Sequence, residues 1–432
     1  MLKKSLQCIK SLRLSMGLMI LLIPVIMAGN LLPQTGRVSP AAIQEWQQAH
    51  PLVGKAVLVG GFHHVYTSWW FLCIFSCLFL NMALVTWDLA RTTLVKARGL
   101  HRYSHEAVSY FTLDETAFSR ERLDRFEAVL RGRGYVLKQG TDEIYGRKGW
   151  LGIWGGTILH LGLVVLLVGA LISGLSRFNG YMELGAGQEV PENDQAYAQK
   201  NKGIFFPGHL QDVTLRLDGT EEHRNGKMNI VTSAVAVMDH KSGEEVHKTL
   251  TMNDPLYFHG LKMYQSDFVG PAALFVVTSP GAPESVAGYV NLQSRNGSNA
   301  IFSLPGTPFQ AKIDYHAADR SLEMEVHDRN EVVYKGPIAI GQTLKADDFL
   351  IRLEAVNKWT GLLVVYDRAV PVIFTGFILA ILGIAVMGLF DPREIWARRV
   401  SRDGTDILEI VGWGRWRNMF LDEFHDMKEK LG

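Results

Sequence analysis

Cysteine is scarce in this chain: 432 residues carry three, Cys8, Cys73 and Cys77. That count excludes a disulfide-stapled scaffold and a cysteine-built structural zinc site. No Cys-x-x-Cys-His sequence occurs, so the chain is not itself a c-type cytochrome. Cys73 and Cys77 stand four apart and share one helical face; they read as small buried side chains, with a redox pair as the alternative. An excess of one charge is missing too. Lys and Arg number 44 against 43 Asp and Glu, a net charge of +1, which offers no basic surplus for nucleic acid. A Walker loop, a dinucleotide fingerprint, a His-Glu-x-x-His zinc motif and a nucleophile elbow are all absent.

The most informative absence is local. Asp, Glu, Lys and Arg vanish from Leu14–Leu32, Trp69–Trp87, Leu151–Ser176 and Val370–Phe390. Each window approaches or exceeds the roughly 20 residues needed to cross about 30 Å of hydrocarbon. The sequence therefore predicts four transmembrane α-helices, at 14–32, 69–87, 150–176 and 370–390. The first follows Lys3, Lys4, Lys10 and Arg13 in the manner of a secretory signal. Its apolar run is too long for one and no small-residue cleavage site follows Leu32, so it reads as a retained anchor.

Basic residues set the expected orientation. Segment 33–68 carries only Arg37 and Lys55, whereas segment 88–149 includes Arg91, Lys96, Arg98, Arg102, Arg147 and Lys148, and the segment after Phe390 begins with Arg393, Arg398, Arg399 and Arg402. By the positive-inside rule, residues 1–13, 88–149 and 391–432 are cytoplasmic, and 33–68 and 177–369 lie outside. The expected setting is a bacterial inner membrane, with the large domain in the periplasm or outside the cell.

Between the second and third spans, Leu123, Phe126 and Leu130 share one helical face and Arg120, Arg122, Arg125 and Arg131 lie largely on the other. Strand-like stretches at Val108–Phe111 and Tyr135–Lys138 flank this helix, which predicts a small cytoplasmic α+β module with a cytoplasmic tail from 391. Residues 177–369 show the two-residue period instead. Val213, Leu215 and Leu217 alternate with Thr214, Arg216 and Asp218, and Leu322, Met324 and Val326 with Glu323, Glu325 and His327. Further strands are predicted at Ile230–Met238, Ala273–Thr278, Phe309–Tyr315, Leu350–Ala355 and Leu362–Tyr366. The fold class is thus a membrane protein with four helices, a large β-rich extracytoplasmic domain and the small module.

His160 is the only ionisable side chain in the third span. An imidazole in hydrocarbon is costly and usually functional, and neutral imidazole is a standard axial ligand for haem iron. A structural interhelical hydrogen bond is the alternative. Gly152 and Gly156 precede it at intervals of four, forming a stripe against which a planar group packs or, equally, another helix. His63 and His64, ahead of Tyr66, Trp69 and Trp70, are candidate outer-surface metal ligands, with a plain solvated interface as the alternative. His209, His259, His316 and His327 show no metal-ligand spacing and read as surface or local packing residues.

Several segments together carry a family resemblance. They are Ser11-Leu-Arg-Leu before the first span, Gly29-Asn-Leu-Leu-Pro-Gln34 after it, Val65-Tyr-Thr-Ser-Trp-Trp-Phe71, and Arg147-Lys-Gly-Trp-Leu-Gly-Ile-Trp-Gly155 leading to His160-Leu-Gly-Leu163. Asp254-Pro-Leu-Tyr257, Gly260-Leu-Lys-Met-Tyr-Gln-Ser266 and Thr360-Gly-Leu-Leu-Val-Val-Tyr-Asp367 follow in order. Across nearly its whole length the chain resembles the ResB-like (CcsB) proteins of system II cytochrome c biogenesis. The resemblance implies a haem-handling subunit of a cytochrome c synthase complex, working with a CcsA/ResC-type polytopic partner that carries a tryptophan-rich motif. It implies that haem b is bound transiently and relayed to apocytochrome c, with His160 supplying one axial ligand and the partner another. Catalytic attachment then belongs to the complex, and no catalytic residue is assigned here. Arg368 and Ala369 stand where the family is expected to favour Pro and Gly. The competing readings are a membrane-anchored sensor with a ligand-binding β-domain and a thiol-disulfide transporter using Cys73 and Cys77.

Overall fold

A computed structural model describes residues 9–38, 40–98, 111–225, 228–279, 285–292, 301–316, 321–329 and 331–429. Cys8 and most of the expected strand at Val108–Phe111 lie outside these residues; Phe111 opens an observed strand. Four helices among the described residues are long and apolar enough to cross a membrane: Leu12–Leu31, Trp69–Arg98, Gly152–Ser176 and Val370–Leu389. The second continues eleven residues past the expected boundary at 87, because the charged stretch from Asp88 to Arg98 keeps good helix formers and holds no proline or glycine. The chain divides into two compact units, one made of 1–19, 75–170 and 369–432, the other of 20–74 and 171–368.

In the first unit the α+β module is larger than the sequence suggests. Its antiparallel sheet has the order Phe111–Ala117, Thr405–Gly414, Arg393–Arg402, Glu143–Lys148, Val136–Gln139. The segment read as a tail supplies two of the three interior strands of that sheet. Helices Arg120–Gly132 and Arg417–Glu429 contribute to one core, where Leu123, Phe126 and Leu130 meet Ile395, Phe420 and Phe424. Full burial of side chains of this size contributes about 1.5–3 kcal/mol each. The expected amphipathic helix is therefore present with its apolar face inward, but half of what it packs against arrives from beyond the fourth span.

A charged cluster ties that last helix down. The Glu423 carboxylate, 8% exposed, accepts from Lys148 Nζ at 2.7 Å and Tyr135 Oη at 3.1 Å, and also from Arg393. Burial alone raises this carboxyl, but Lys148 and Arg393 together hold it below its ordinary value.

The second unit holds the β-rich domain, whose spine is a pair of 18-residue antiparallel strands, Leu261–Thr278 and Phe349–Tyr366. One half of this pair is joined by Phe178–Gly185 and Gln199–Lys202 and shares a core with the sheet of Glu189–Pro191, Val213–Asn225, Met228–Asp239 and Glu245–Leu250. The other half shares a separate core with the sheet of Ile301–Ser303, Gln310–His316, Ser321–Asp328 and Glu331–Ile338. Two sandwich lobes therefore grow from the same two strands. The predicted alternation holds: Val213, Leu215, Leu217, Leu322, Met324 and Val326 are all buried. The separate strands expected at 350–355 and 362–366 are one strand. The polar residues between them, Asn357 and Lys358, pair across to Ala272 and Pro271 at the junction between the two cores, so the backbone ladder continues where the apolar pattern pauses. Register slips between Gln265 and Val269, where the buried Gln265 amide donates to Thr360 Oγ1 at 2.7 Å and to Ser266 O at 2.8 Å.

Candidate functional site

The third span has two working faces. Gly155, Gly162 and Gly169 recur every seven residues and meet the fourth span, where Gly376 and Gly383 repeat the same interval. A Cβ added at Gly155, Gly162 or Gly169 would lie 2.7, 2.4 or 2.7 Å from Met387 N, Ala380 N or Ile373 Cγ1. At Gly376 or Gly383 it would lie 2.5 or 2.3 Å from Leu166 N or Leu159 N. The two backbones therefore touch along a seam that admits no side chain, the usual use of small residues between membrane helices.

His160 lies elsewhere on the helix. At about 100° per residue it is turned roughly 140–180° from the seam glycines, so the fourth span does not cover it. On that side Thr157, three residues earlier, is buried and shares a hydrogen bond of 2.9 Å with the buried Thr93 hydroxyl of the second span. The imidazole is half-buried, and among the described residues it makes no hydrogen bond. Its Nδ1 is fully buried and unpartnered, as is Thr86 Oγ1 on the second span, seven residues from Thr93. An orphaned buried polar group costs about 1–3 kcal/mol, and among the described residues no interhelical hydrogen bond from the imidazole offsets it.

The three residues singled out on this stripe part company. Gly152 is closed: a Cβ there would sit 1.7 Å from Phe390 O, and its own carbonyl accepts from Arg415 Nη2 at 2.7 Å. It packs the start of the helix against the chain that leaves the fourth span. Gly156 is open, with no atom within 4 Å of its Cβ position. Only Gly156 leaves space beside the histidine.

His63 and His64 fall in a 3-10 turn, Phe62–Thr67, ahead of the second span. Their rings meet edge-on at 4.2 Å, with His64 Nδ1 3.0 Å from His63 Nε2, while His63 Nδ1 is buried without a partner. Burial first, and the neighbouring His63 second, lower the His64 pKa from its ordinary value. Both rings are half-buried, drier than a solvated interface. Gln34 braces the turn, donating to Phe62 O at 2.9 Å and accepting from Val65 N at 3.3 Å. Cys73 and Cys77 are exposed free thiols on the second span, not the buried side chains expected, because the face they share is turned away from its neighbours.

One constellation escaped the sequence. His209 binds the buried Glu192 through Nδ1 at 2.7 Å and Asp194 through Nε2 at 2.9 Å, and its ring sits among Phe178, Tyr197 and Phe206. Tyr197 Oη and Leu210 N also donate to Glu192. This is local packing, as expected of His209, but of a charged and interior kind. No group of three or more potential ligands suited to a metal ion occurs among the described residues.

The family model for ResB-like proteins matches residues 12–424, from the first span into the last helix. The chain belongs to the ResB-like family. Curated relatives extend the match: the cytochrome c biogenesis protein CcsB of Picosynechococcus sp. is 26% identical over 411 residues, covering 91% of this chain and 85% of the relative. CcsB of Nostoc sp. is 26% identical over 447 residues, covering 99% and 93%. Among solved structures, the cytochrome c haem lyase CcmF aligns with 73% of this chain and 30% of its own at 13% identity and a TM-score of 0.25, too low to imply a common fold. As a ResB-like protein the chain is assigned to cytochrome c biogenesis, and its four helices are the membrane part of that assignment.

Proposed function

We propose that this ResB-like chain carries haem within a system II cytochrome c synthase complex, holding it at His160 and passing it on for attachment to apocytochrome c. The observation that carries the reading is the imidazole itself: a membrane-embedded histidine with no protein partner, beside the one glycine of its stripe that opens onto free space. Haem is the cargo here, and the chemistry an imidazole offers it is axial ligation of the iron. His160 stands eight residues from the start of its helix and sixteen from the end, about 12 and 24 Å at 1.5 Å per residue. With the orientation favoured by the basic residues, that depth is nearer the cytoplasmic leaflet. The β-rich domain then lies outside the bacterial inner membrane, where apocytochrome c and a CcsA/ResC-type partner with a tryptophan-rich motif receive the haem. The partner supplies the second axial ligand and the His160 side of the third span is the face it meets. Catalysis of thioether formation resides in the complex.

The test is to purify the chain with its partner and record the haem absorption spectrum of wild type and of His160→Ala. Loss of bound haem, restored by added imidazole, is the expected result. An unchanged spectrum removes His160 from the mechanism.

A further inference from the structure

Two arginines in the second unit stand together with a single carboxylate, Asp367, acting on one of them. Arg37 follows the first span, in the turn Thr35–Val38, and its guanidinium lies 5.6 Å from the centre of the Tyr66 ring. That turn is pinned by Gly36, whose φ of 77° and close approach to Asn179 O leave no room for a side chain. Arg177 is the first residue after the third span. Its backbone is fixed on both sides, the amide donating to Ser173 O and the carbonyl accepting from Gly203 N, each at 2.8 Å. Its Nε donates to Asn179 Oδ1 at 2.9 Å, and among the described residues neither arginine forms an ion pair. Tyr66 has both arginines as its charged neighbours.

The local charge does not balance. Burial, with the like charge of Arg37 beside it, pushes the Arg177 guanidinium below its ordinary value; Asp367 is the one acid opposing this, and that carboxylate is engaged by Ser173 Oγ at 2.7 Å. Tyr66 and Tyr264 complete the surroundings as neutral phenols, and burial raises both. Half-burying two cations together is unfavourable unless an anion joins them. A guanidinium fork is shaped for the paired oxygens of a carboxylate or phosphate.

We propose that Arg37 and Arg177, with Tyr66 beneath, form a binding site for an oxyanion carried by an amphiphile. The position argues for an amphiphile, since Arg177 follows Ser176, Arg37 lies six residues past Leu31 and Tyr66 three before Trp69, all at the ends of apolar spans. Two amphiphiles bring such a group to that boundary, a porphyrin through its propionates and a phospholipid through its phosphate. The porphyrin source rests on the haem-carrying reading above; His160 is not among these residues, so the spectrum of His160→Ala and the experiment below fail separately.

The experiment uses the full chain in dodecyl maltoside micelles, which carry no phosphate. Iron-free protoporphyrin and its dimethyl ester are titrated by fluorescence, and retained phosphatidylglycerol is measured by native mass spectrometry after the lipid is added. For a propionate site, wild type prefers the free acid over the ester by roughly tenfold or more; Arg37→Gln and Arg177→Gln each abolish the preference, and Arg37→Lys keeps part of it. For a phosphate site, wild type retains phosphatidylglycerol and both glutamine variants release it. Because Arg177→Gln risks misfolding, phenylglyoxal labelling of Arg37 and Arg177 in the wild type is followed with and without each anion, and protection is the expected result. The proposal is overturned if neither anion protects the arginines and neither distinguishes wild type from folded Arg37→Gln.

Discussion

The seam between the third and fourth spans makes a paired prediction on one helix. Alanine at Gly162 places a methyl 2.4 Å from Ala380 N and 2.8 Å from Gly376 O, both backbone atoms, where ordinary contact begins near 3.4 Å. No rotamer relieves this, so the helices must part locally by about 1 Å. Overpacking of this kind costs typically 1–3 kcal/mol. The gain in helix propensity from Gly to Ala, up to ~1 kcal/mol, offsets part of it. The net expectation for Gly162→Ala is a loss of about 1–2 kcal/mol, a factor of roughly 5–30 in the folded ratio. Alanine at Gly156 meets nothing within 4 Å and receives the propensity gain without the clash. Reversible unfolding in mixed micelles, read by steric trapping, compares the two: Gly162→Ala falls below wild type and Gly156→Ala matches or exceeds it. Under the proposed function Gly156→Ala should still reduce haem retention, since it fills the space beside His160. Equal stability of the two variants would refute the close-packed seam.

Acid should release the last helix of the α+β module. The Glu423 carboxyl is held below its ordinary value, so its contribution is complete above the unfolded pKa and is lost as pH falls through the folded one. Amide protection factors across 417–429, taken relative to the intrinsic rate at each pH, are expected to fall on acidification through the carboxylate range, and Glu423→Gln to show low protection already at neutral pH. Glu423→Ala leaves Arg393 with Asp391 alone, at 2.8 Å, and the partly exposed Lys148 without its carboxylate, and should cost about 1–3 kcal/mol; melting of the full chain in detergent checks it. The exposed thiols Cys73 and Cys77 make no disulfide, so the double change to serine is expected to leave cytochrome c maturation intact, and abolished maturation would revive the thiol-transfer reading.

How far the sequence disclosed this fold depended on how local each signal was. The spans and the alternating strands were legible because hydrocarbon length and a half-buried sheet each impose a period on neighbouring residues. The joining of 393–414 to 111–148 was not, since the two stretches are separated by two spans and the whole β-rich domain, and an amphipathic pattern does not name its partner. His209 was hidden for a similar reason. Glu192, Asp194 and Tyr197 lie more than ten residues upstream across a turn, and Phe178 farther still, so neither metal spacing nor periodicity brings them together. Arg37 and Arg177 are the extreme case, 140 positions apart and joined only by the packing of a turn onto a sheet.

The glycines of the third span show what a better sequence criterion would be. Intervals of four, as at Gly152, Gly156 and His160, mark a stripe but leave its use undecided, and the structure divides that stripe between a closed position and an open one. The seam announces itself by a different period. Gly155, Gly162 and Gly169 keep an interval of seven, and so do Gly376 and Gly383, and a shared 3.5-residue repeat is what two helices need to remain in register along a common line. A repeat found in both helices implies contact between them, and it separates the seam glycines from Gly156 and His160 before any coordinates; Gly152, outside the repeat yet closed against Phe390 O, needed the structure. The histidine is left on the side of the helix that the fourth span does not use.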